Sequence, residues 1–392
     1  MKQLEFKFAG PTPSLATLFT SFFEVGTTSF GGPPMVAYIR TMVVKEKEWL
    51  DDASFQDGVA LCQTIPGIIT MQTAAYVGLR LRGMAGAAAS FLGFGSPAFL
   101  FMMLLSALYV RTYTLPAVVS AFHGLQVIIV ALVAHATLSY GRTSLKNLKD
   151  TIIAAVAAGM FGAGVNPVIV ILLAGSLGWI FYRGESLPTR GGSPCPASRP
   201  TKSFLFLVVI AAGASLLLYF FQRNLFILAS LMAKITLFAF GGGFTALPLM
   251  FHEVVKVHSW MDAQTFLNGI AIGQMTPGPI MLTATFVGYF LYGPLGGCIA
   301  TLGIFLPSFL IITGIVPYYD RLRASLHFTR TMRGILCSFV GLLLSVTIHF
   351  AQNIPWDIPR ILLAGAALGA LLLRVEIIWV VLAGIVISVL VL

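Results

Sequence analysis

One pattern of glycine, proline, tryptophan and polar residues occurs twice in this chain, about 210 residues apart. The first copy consists of Phe30, Gly31, Gly32, Trp49, Asp51, Gln63, Pro66 and Gly67. The second copy consists of Phe240, Gly241, Gly242, Trp260, Asp262, Gln274, Pro277 and Gly278. The register continues to Pro97 and Pro307 with only two single-residue shifts. A period close to half the chain length indicates an internal duplication rather than a solenoid.

The composition places both copies in a membrane. Hydrophobic residues make up 57% of the chain and charged residues only 10%, whereas soluble domains carry roughly 25% charged residues. The stretch from Ala263 to Tyr319 contains no Asp, Glu, Lys or Arg, and about 20 apolar residues suffice for one crossing. We therefore expect an all-α polytopic membrane protein, with its N-terminal segment retained because Met1–Pro13 lacks the features of a secretory signal.

Apolar runs between polar breaks give about 10–13 spans. The thirteen candidates lie near residues 14–34, 55–79, 84–110, 115–140, 151–165, 167–182, 204–221, 225–250, 264–290, 294–318, 334–351, 358–373 and 377–392. A Pro/Gly-rich stretch at 184–203 is typical of a linker. The predicted organisation is an N-terminal repeat (1–183), a cytoplasmic linker (184–203) and a C-terminal repeat (204–392).

Charge asymmetry orients these spans. With the N-terminus inside, 17 Lys and Arg residues fall on the inner side and 6 on the outer side, with Lys234 left within a span. The positive-inside rule therefore favours a cytoplasmic N-terminus. Seven crossings separate the equivalent spans of the two copies, so the copies should have opposite orientations. Such inverted repeats with broken or re-entrant helices are typical of secondary transporters.

The proline and glycine breaks are the predicted binding elements. Pro66-Gly67 and Pro277-Gly278 interrupt apolar runs, and such breaks are tolerated in hydrocarbon only where the freed backbone faces protein or water. The half-helices that follow are expected to direct unpaired N–H groups towards the membrane centre, where they form an anion site.

The two glycine pairs and the two glutamines near these breaks belong to the same predicted site. Gly31-Gly32 and Gly241-Gly242 are expected to end or open the first span of each copy near the centre. Gln63 and Gln274 lie one turn before each Pro-Gly break and are expected to contact the ligand. For the glutamines, the alternative is a hydrogen bond to a neighbouring helix.

Two charges occupy equivalent places inside spans. Glu24 and Lys234 are 210 residues apart, and an intramembrane charge is a functional hypothesis by default. Lys234 would bind an anionic substrate and Glu24 would carry a proton or a counter-charge. The alternative is a structural salt bridge between these two residues across the repeat interface.

Other functional classes find less support in the sequence. The cysteines, Cys62, Cys195, Cys298 and Cys337, have no metal-binding spacing, so no metal or cofactor is predicted. The basic residues lie in connecting loops, which argues against a nucleic-acid partner. A nucleotide-binding GxxxxGK[ST] motif does not occur, and a membrane-embedded reductase would need redox ligands. We therefore expect no enzymatic activity.

At these motifs the chain resembles the chromate ion transporter family. The resemblance rests on Thr28 to Pro33, Trp49-Leu50-Asp51 and Ala60 to Gly67 in the first copy, and on the corresponding Phe240 to Gly243, Trp260-Met261-Asp262 and Gln274 to Pro279. It implies the long two-domain form, which resides in a bacterial inner membrane and exports chromate by a chemiosmotic mechanism. The first copy departs from the family pattern at Ile68, where Pro-Gly-Pro is usual.

The resulting hypothesis is a secondary active transporter that exports chromate, driven by an ion gradient, with a midplane site between inverted repeats. A carrier of another oxyanion such as sulfate, or a passive anion channel or exchanger, remains the alternative. The partners expected are the oxyanion and the lipid bilayer. The coupling ion and the oligomeric state are left open, with a homodimer among the alternatives.

Overall fold

The first repeat begins with short helices, continues with two long ones and ends with two helices of 15 residues each. The computed structural model describes residues 12–29, 34–183, 202–316 and 325–391. The first-repeat elements are α1 (Leu15–Thr28), α2 (Pro34–Arg40) with a π-helical turn (Thr41–Glu46), α3 (Asp52–Thr64), α4 (Ile69–Thr112), α5 (Pro116–Ser144), α6 (Leu148–Gly162) and α7 (Pro167–Phe181).

The second repeat has the same element order and is preceded by one additional helix, α8 (Lys202–Phe221). Its elements are α9 (Arg223–Phe238), a 3₁₀ turn (Gly243–Thr245), α10 (Ala246–Phe251) with a π-helical turn (His252–Val257), α11 (Ala263–Met275), a 3₁₀ turn (Ile280–Leu282), α12 (Thr283–Ile315), α13 (Leu326–Gln352), α14 (Ile358–Leu372) and α15 (Ile377–Val391). Five of the described helices are long and apolar enough to cross a membrane. The expectation of an all-α polytopic membrane protein is confirmed.

The duplication extends to unusual backbone geometry. Both repeats contain a π-helical turn at the equivalent place. Both α4 and α12 bend at a glycine with φ of 63°, Gly83 and Gly293, one residue after a non-helical Arg82 or Tyr292. Each bent helix therefore has a short first arm, 69–82 or 283–292, and a longer second arm, 83–112 or 293–315.

The breaks turn two candidate spans into re-entrant hairpins. The Tyr76 hydroxyl donates to the Ser54 carbonyl oxygen at 3.3 Å, and a Cβ on Gly58 would lie 2.1 Å from the Tyr76 ring. Thus α3 and the first arm of α4 lie side by side and antiparallel. Gly269 faces Phe286 in the same way in the second repeat. The prediction of crossings at 55–79 and 264–290 is wrong, because hydropathy does not register a chain reversal at an internal break.

The first helix of each repeat also ends inside the protein. Arg82 Nε donates to the carbonyl oxygen of Pro13 at 2.8 Å, and Gly26 lies against Phe94 and Pro97. Helix α1 therefore runs parallel to the second arm of α4 and ends about halfway along it. The starts of α1 and α3 lie at the same depth, because both are near the end of the first arm of α4. The intervening α2 and its π-helical turn must therefore return to the face on which α1 began. Candidate spans 14–34 and 225–250 are thus parts of hairpins.

Acidic N-caps explain the repeated Trp-x-Asp steps. Asp51 accepts a hydrogen bond from Ser54 N at 2.9 Å at the start of α3, and Asp262 accepts one from Thr265 N at 2.7 Å at the start of α11. Both re-entrant helices are therefore capped at their outer ends. The hydrogen bond from the Ser54 backbone lowers the pKa of Asp51.

The two repeats are related by a twofold axis between α5 and α13. The equivalent residues Thr137 and Thr347 contact each other, with their hydroxyl oxygens 3.3 Å apart. Further along α5, the Ser144 carbonyl oxygen lies 3.7 Å from the Sγ atom of Cys337, which precedes Thr347 in sequence. The two equivalent helices therefore run antiparallel across the axis. The predicted inversion of the repeats is confirmed by this arrangement.

One long helix of each repeat packs against helices of the other repeat. Helix α13 packs on α6 and α7, while α5 packs on α14 and α15. Close contacts hold these groups together, including a hydrogen bond from Gly124 N to Ser388 Oγ at 3.0 Å. The buried Asp150 carboxylate binds Arg333 at 3.0 Å and also accepts from the Tyr182 hydroxyl. The repeat boundary in the sequence is thus not a boundary in the packing.

The hairpins redistribute the charges between the two faces. We call the face at which α1 begins the first face and the opposite one the second face. The described Lys and Arg residues near the first face are Arg40, Lys45, Lys47, Arg80, Arg82, Arg142, Lys146, Lys149, Arg183, Lys202, Arg330, Arg333 and Arg374. Those near the second face are Arg111, Arg223, Lys256 and Arg360. The expected placement of Arg40, Lys45 and Lys47 opposite the N-terminus is wrong, because their hairpin returns to the first face.

Side-specific labelling tests the hairpins. In a variant without native cysteines, a cysteine at position 47 (Lys47→Cys) should react with a membrane-impermeant maleimide from the same side as Arg142→Cys. The marker Arg111→Cys should react from the opposite side. Thirteen simple crossings would instead place the Lys47→Cys and Arg111→Cys labels together, and that result would refute the hairpin topology.

Candidate functional site

The broken ends of the four hairpins meet in two pairs. The Gly67 N–H donates to the Ala239 carbonyl oxygen at 2.8 Å, and the Gly278 N–H donates to the Ser29 carbonyl oxygen at 3.0 Å. Gly67 and Gly278 are equivalent positions, as are Ser29 and Ala239. We call the Gly67–Ala239 pair the first crossover and the Gly278–Ser29 pair the second crossover. Pro66 also forms an isolated antiparallel bridge with Phe240.

This pairing corrects part of the predicted anion site. The N–H groups of Gly67 and Gly278 were expected to be unpaired, but each binds a carbonyl oxygen of the other repeat. Helix α4 starts two residues later, at Ile69, and no side chain caps it. Since the first N–H groups of a helix have no partner within the helix, the donors available for a ligand belong to the first turn of α4.

Glycine is required at both crossovers. Gly67 and Gly278 have φ angles of 125° and 118°, a region that is accessible essentially to glycine alone. A Cβ on Gly67 would lie 2.5 Å from Ser308 Oγ, and one on Gly278 would lie 2.4 Å from Ala98 Cβ. The two breaks are therefore held tightly against the opposite repeat.

The two crossovers differ in polarity. At the first crossover, Ser308 Oγ accepts from the Ile68 N–H at 3.1 Å, and Gln72 Nε2 donates to the Pro66 carbonyl oxygen at 2.7 Å. Ala98 and Leu282 occupy the equivalent places at the second crossover. The Ser308 hydroxyl and the Gln72 amide therefore occur at the first crossover only.

The departure at Ile68 now has a structural reason. Ile68 replaces a proline, and the N–H that proline lacks is the one bonded to Ser308. In the second repeat Pro279 has no N–H, and the residue equivalent to Ser308 is Ala98. The backbone N–H donor and the hydroxyl acceptor are therefore both present at the first crossover and both absent at the second.

The predicted glycine pair 241–242 also lies at the first crossover. Both glycines have positive φ angles, 88° and 112°. The Tyr140 hydroxyl of α5 donates to the Gly241 carbonyl oxygen at 2.6 Å. The other predicted pair, Gly31 and Gly32, lies outside the described residues.

The two predicted glutamines lie in different surroundings. Gln63 is exposed, whereas Gln274 is buried and its Nε2 atom has no hydrogen-bond partner among the described residues. The Ser29 hydroxyl, at the second crossover, is buried and unpartnered in the same sense. Gly278, four residues after Gln274, donates its N–H to the backbone carbonyl oxygen of Ser29.

The predicted charges do not pair with each other. Lys234 Nζ lies 2.6 Å from Glu253 Oε1, a carboxylate in the π-helical turn of the second repeat. Glu24 is exposed and forms no ion pair with any residue in the described ranges. The alternative of a Glu24–Lys234 salt bridge is therefore wrong.

Sequence reasoning missed four residues that the structure places at these sites: Gln72, Tyr140, Ser308 and Glu253. None has an identical residue at the equivalent position of the other repeat, so a search for repeated residues passes over them. The signal that could have found them is the reverse one, a polar residue at a place where the other copy is apolar. Within the described residues no cluster of side chains suited to a metal ion occurs.

Inverted repeats whose re-entrant hairpins meet inside apolar spans define a polytopic membrane protein of transporter architecture. The chain belongs to the chromate transporter family, whose model matches residues 16–179 and, a second time, residues 226–389. The two matched segments correspond to the two structural repeats.

Curated relatives match along most of their lengths. An uncharacterized transporter of Methanocaldococcus jannaschii is 42% identical over 90% of this chain and 88% of its own. A chromate transport protein of Pseudomonas aeruginosa is 30% identical over 90% of this chain and 84% of its own. One of Cupriavidus metallidurans is 29% identical over 92% and 89%, respectively. No solved structure shows a significant match.

Alanine substitutions test the tightness of the crossovers. Gly67→Ala and Gly278→Ala should each destabilise the folded protein by about 1–3 kcal/mol from backbone strain, with a further cost from the clash. Gly83→Ala and Gly293→Ala are matched controls, because their φ is also positive but no atom lies within 4 Å of the new Cβ. Thermal unfolding in detergent measures the difference, and equal losses at all four positions would contradict the close crossing.

Proposed function

We propose that this chain is a secondary transporter that exports chromate, or a related tetrahedral oxyanion, across the bacterial inner membrane. The family match and the relatives described as chromate transport proteins support the substrate class. The sequence contains no P-loop motif, so an ion gradient is the proposed energy source rather than ATP.

The observation that carries the proposal is the set of hydrogen-bond donors at the first crossover. Ser308 Oγ accepts from Ile68, which leaves its own hydrogen for an anion oxygen. The uncapped first turn of α4 adds backbone N–H groups and the positive end of a helix dipole. These donors lie where α1 and α9 end, about halfway through the protein. A tetrahedral anion presents oxygens in several directions and could accept from both sets.

Two neighbouring side chains position these donors. Gln72 holds the Pro66 carbonyl oxygen, and Tyr140 holds that of Gly241. A free carbonyl oxygen would repel an anion. In each interaction this oxygen is hydrogen-bonded to a protein donor instead. In this proposal Gln72 and Tyr140 keep the break in an anion-accepting geometry.

The distribution of charge supports a cytoplasmic first face. Thirteen of the described Lys and Arg residues lie near the first face and four near the second. By the positive-inside rule the first face is the cytoplasmic one. The N-terminal helix would then enter from the cytoplasm, and export would proceed from the first face to the second.

A transport assay with a matched pair of variants tests the site. In energised inside-out vesicles the wild type should accumulate chromate. Ser308→Ala should weaken apparent chromate affinity about tenfold or more, because a hydrogen bond to a charged group contributes about 1.5–3 kcal/mol. Ala98→Ser, the inverse change at the second crossover, should leave it within about twofold.

Competition by unlabelled sulfate and molybdate determines which oxyanion is preferred. No accumulation of any of these anions would refute the transport proposal. Normal affinity in Ser308→Ala would instead refute the placement of the site at the first crossover.

A further inference from the structure

The lysine of the Lys234–Glu253 ion pair lies on α9, the helix that ends at the first crossover. Lys234 is four residues before the last residue of α9, which is about 6 Å along the helix axis, and the next residue, Ala239, forms the crossover. The Glu253 side chain is only 7% exposed, whereas that of Lys234 is 42% exposed. The lysine therefore has open space around its stem while the carboxylate is enclosed.

The first repeat builds the same hairpin without this pair. Its π-helical turn is present at the equivalent place, but Met42, which is buried, stands where the second repeat has Glu253. Glu24 stands where the second repeat has Lys234. Since the hairpin and its π-helical turn form with neither partner present, the pair is not needed to hold this backbone.

The electrostatic free energy of an enclosed ion pair changes strongly when a second anion binds nearby. A carboxylate removed from water is costly unless it is paired, and removing its partner leaves an uncompensated buried charge. An oxyanion at the first crossover would offer Lys234 a doubly charged partner at the end of its own helix. If the lysine turns to the oxyanion, Glu253 loses its counter-ion, and an enclosed carboxylate without a counter-ion is costly.

We propose that Glu253 and the substrate oxyanion compete for Lys234, and that Glu253 binds one proton whenever the oxyanion holds the lysine. This inference rests on the proposed function. The proton comes from water and is released when Glu253 regains Lys234. One dianion and one proton therefore move together, so each cycle carries one net negative charge instead of two. An inside-negative membrane potential drives that charge outwards.

Among the residues that the structure describes, the other titratable groups placed near Glu253 are bases. On its own segment lie His252, which is buried, Lys256, and His258, whose Nδ1 is 3.9 Å from Glu253 Oε2. From α13, His349 contacts the Phe251 ring. A histidine could take up the proton in place of the carboxylate, so His258→Gln and His349→Gln serve as comparison variants.

The test measures charge per transported anion. Proteoliposomes are prepared at equal, mildly alkaline pH on both sides, where chromate is a dianion, with the potential set by potassium and valinomycin. For one charge per anion, a tenfold chromate gradient is balanced by about 59 mV, and for two charges by about 30 mV. The wild type should balance at the first value and Glu253→Gln, which cannot exchange a proton, at the second.

Further variants separate competition from folding. Glu253→Gln should also raise apparent chromate affinity at alkaline pH about tenfold, because the competing carboxylate is gone, and should flatten its pH dependence. Met42→Gln makes the matched change in the first repeat and should leave the balance potential unchanged. Lys234→Met/Glu253→Gln removes both charges, so it should fold but bind chromate weakly.

Each outcome bears on one claim. A Glu253→Gln protein that still balances near 59 mV with the wild-type pH profile overturns the inference, as does a shift to about 30 mV in His258→Gln or His349→Gln with none in Glu253→Gln. A wild type that moves no oxyanion overturns the proposed function itself. The two failures are therefore distinguishable in the same preparation.

Discussion

The structure depends on two backbone hydrogen bonds that cross between the repeats. A helix that ends inside an apolar span leaves N–H and C=O groups without water, and each such group costs several kcal/mol unless it finds a partner. Here the break of one repeat supplies the donor, Gly67 or Gly278, and the break of the other supplies the acceptor, Ala239 or Ser29. Neither repeat can satisfy its own broken ends in this way, so the fold requires two copies of the unit.

Asymmetry is then added to this symmetric frame. The backbone pairing is the same at both crossovers, but only the first carries the hydroxyl of Ser308 and the amide of Gln72. The ion pair likewise occurs in one hairpin only. A site related by an exact twofold would present the same groups to both faces of the membrane. Polar residues in one copy opposite apolar residues in the other thus give a symmetric scaffold an asymmetric centre.

The sequence predicted the frame better than the site. Pro66-Gly67 and Pro277-Gly278 marked the breaks because their backbone chemistry is local, and the antiparallel contact of Thr137 with Thr347 confirms the inversion inferred from counting. The hairpins could not be predicted, because an apolar run around a break looks the same whether the chain continues or reverses. The partner of Lys234 was missed for a similar reason, since Glu253 is a neighbour only after α10 folds back beside α9.

The exchange of α5 and α13 constrains how such a protein can move. Rocking one repeat as a rigid body against the other would separate α13 from α6 and α7, and would break the bond between the buried Asp150 carboxylate and Arg333. Leaving a buried carboxylate unpaired costs about 3–5 kcal/mol.

Motion is less costly if two bundles of helices each move as a unit. One bundle consists of α5, α14 and α15, and the other consists of α13, α6 and α7. The sliding surface then lies between α5 and α13, where the small Thr137 and Thr347 face each other. Tyr140 is one turn from Thr137 on the same helix and binds the Gly241 carbonyl oxygen, so sliding along this surface would act directly on the first crossover.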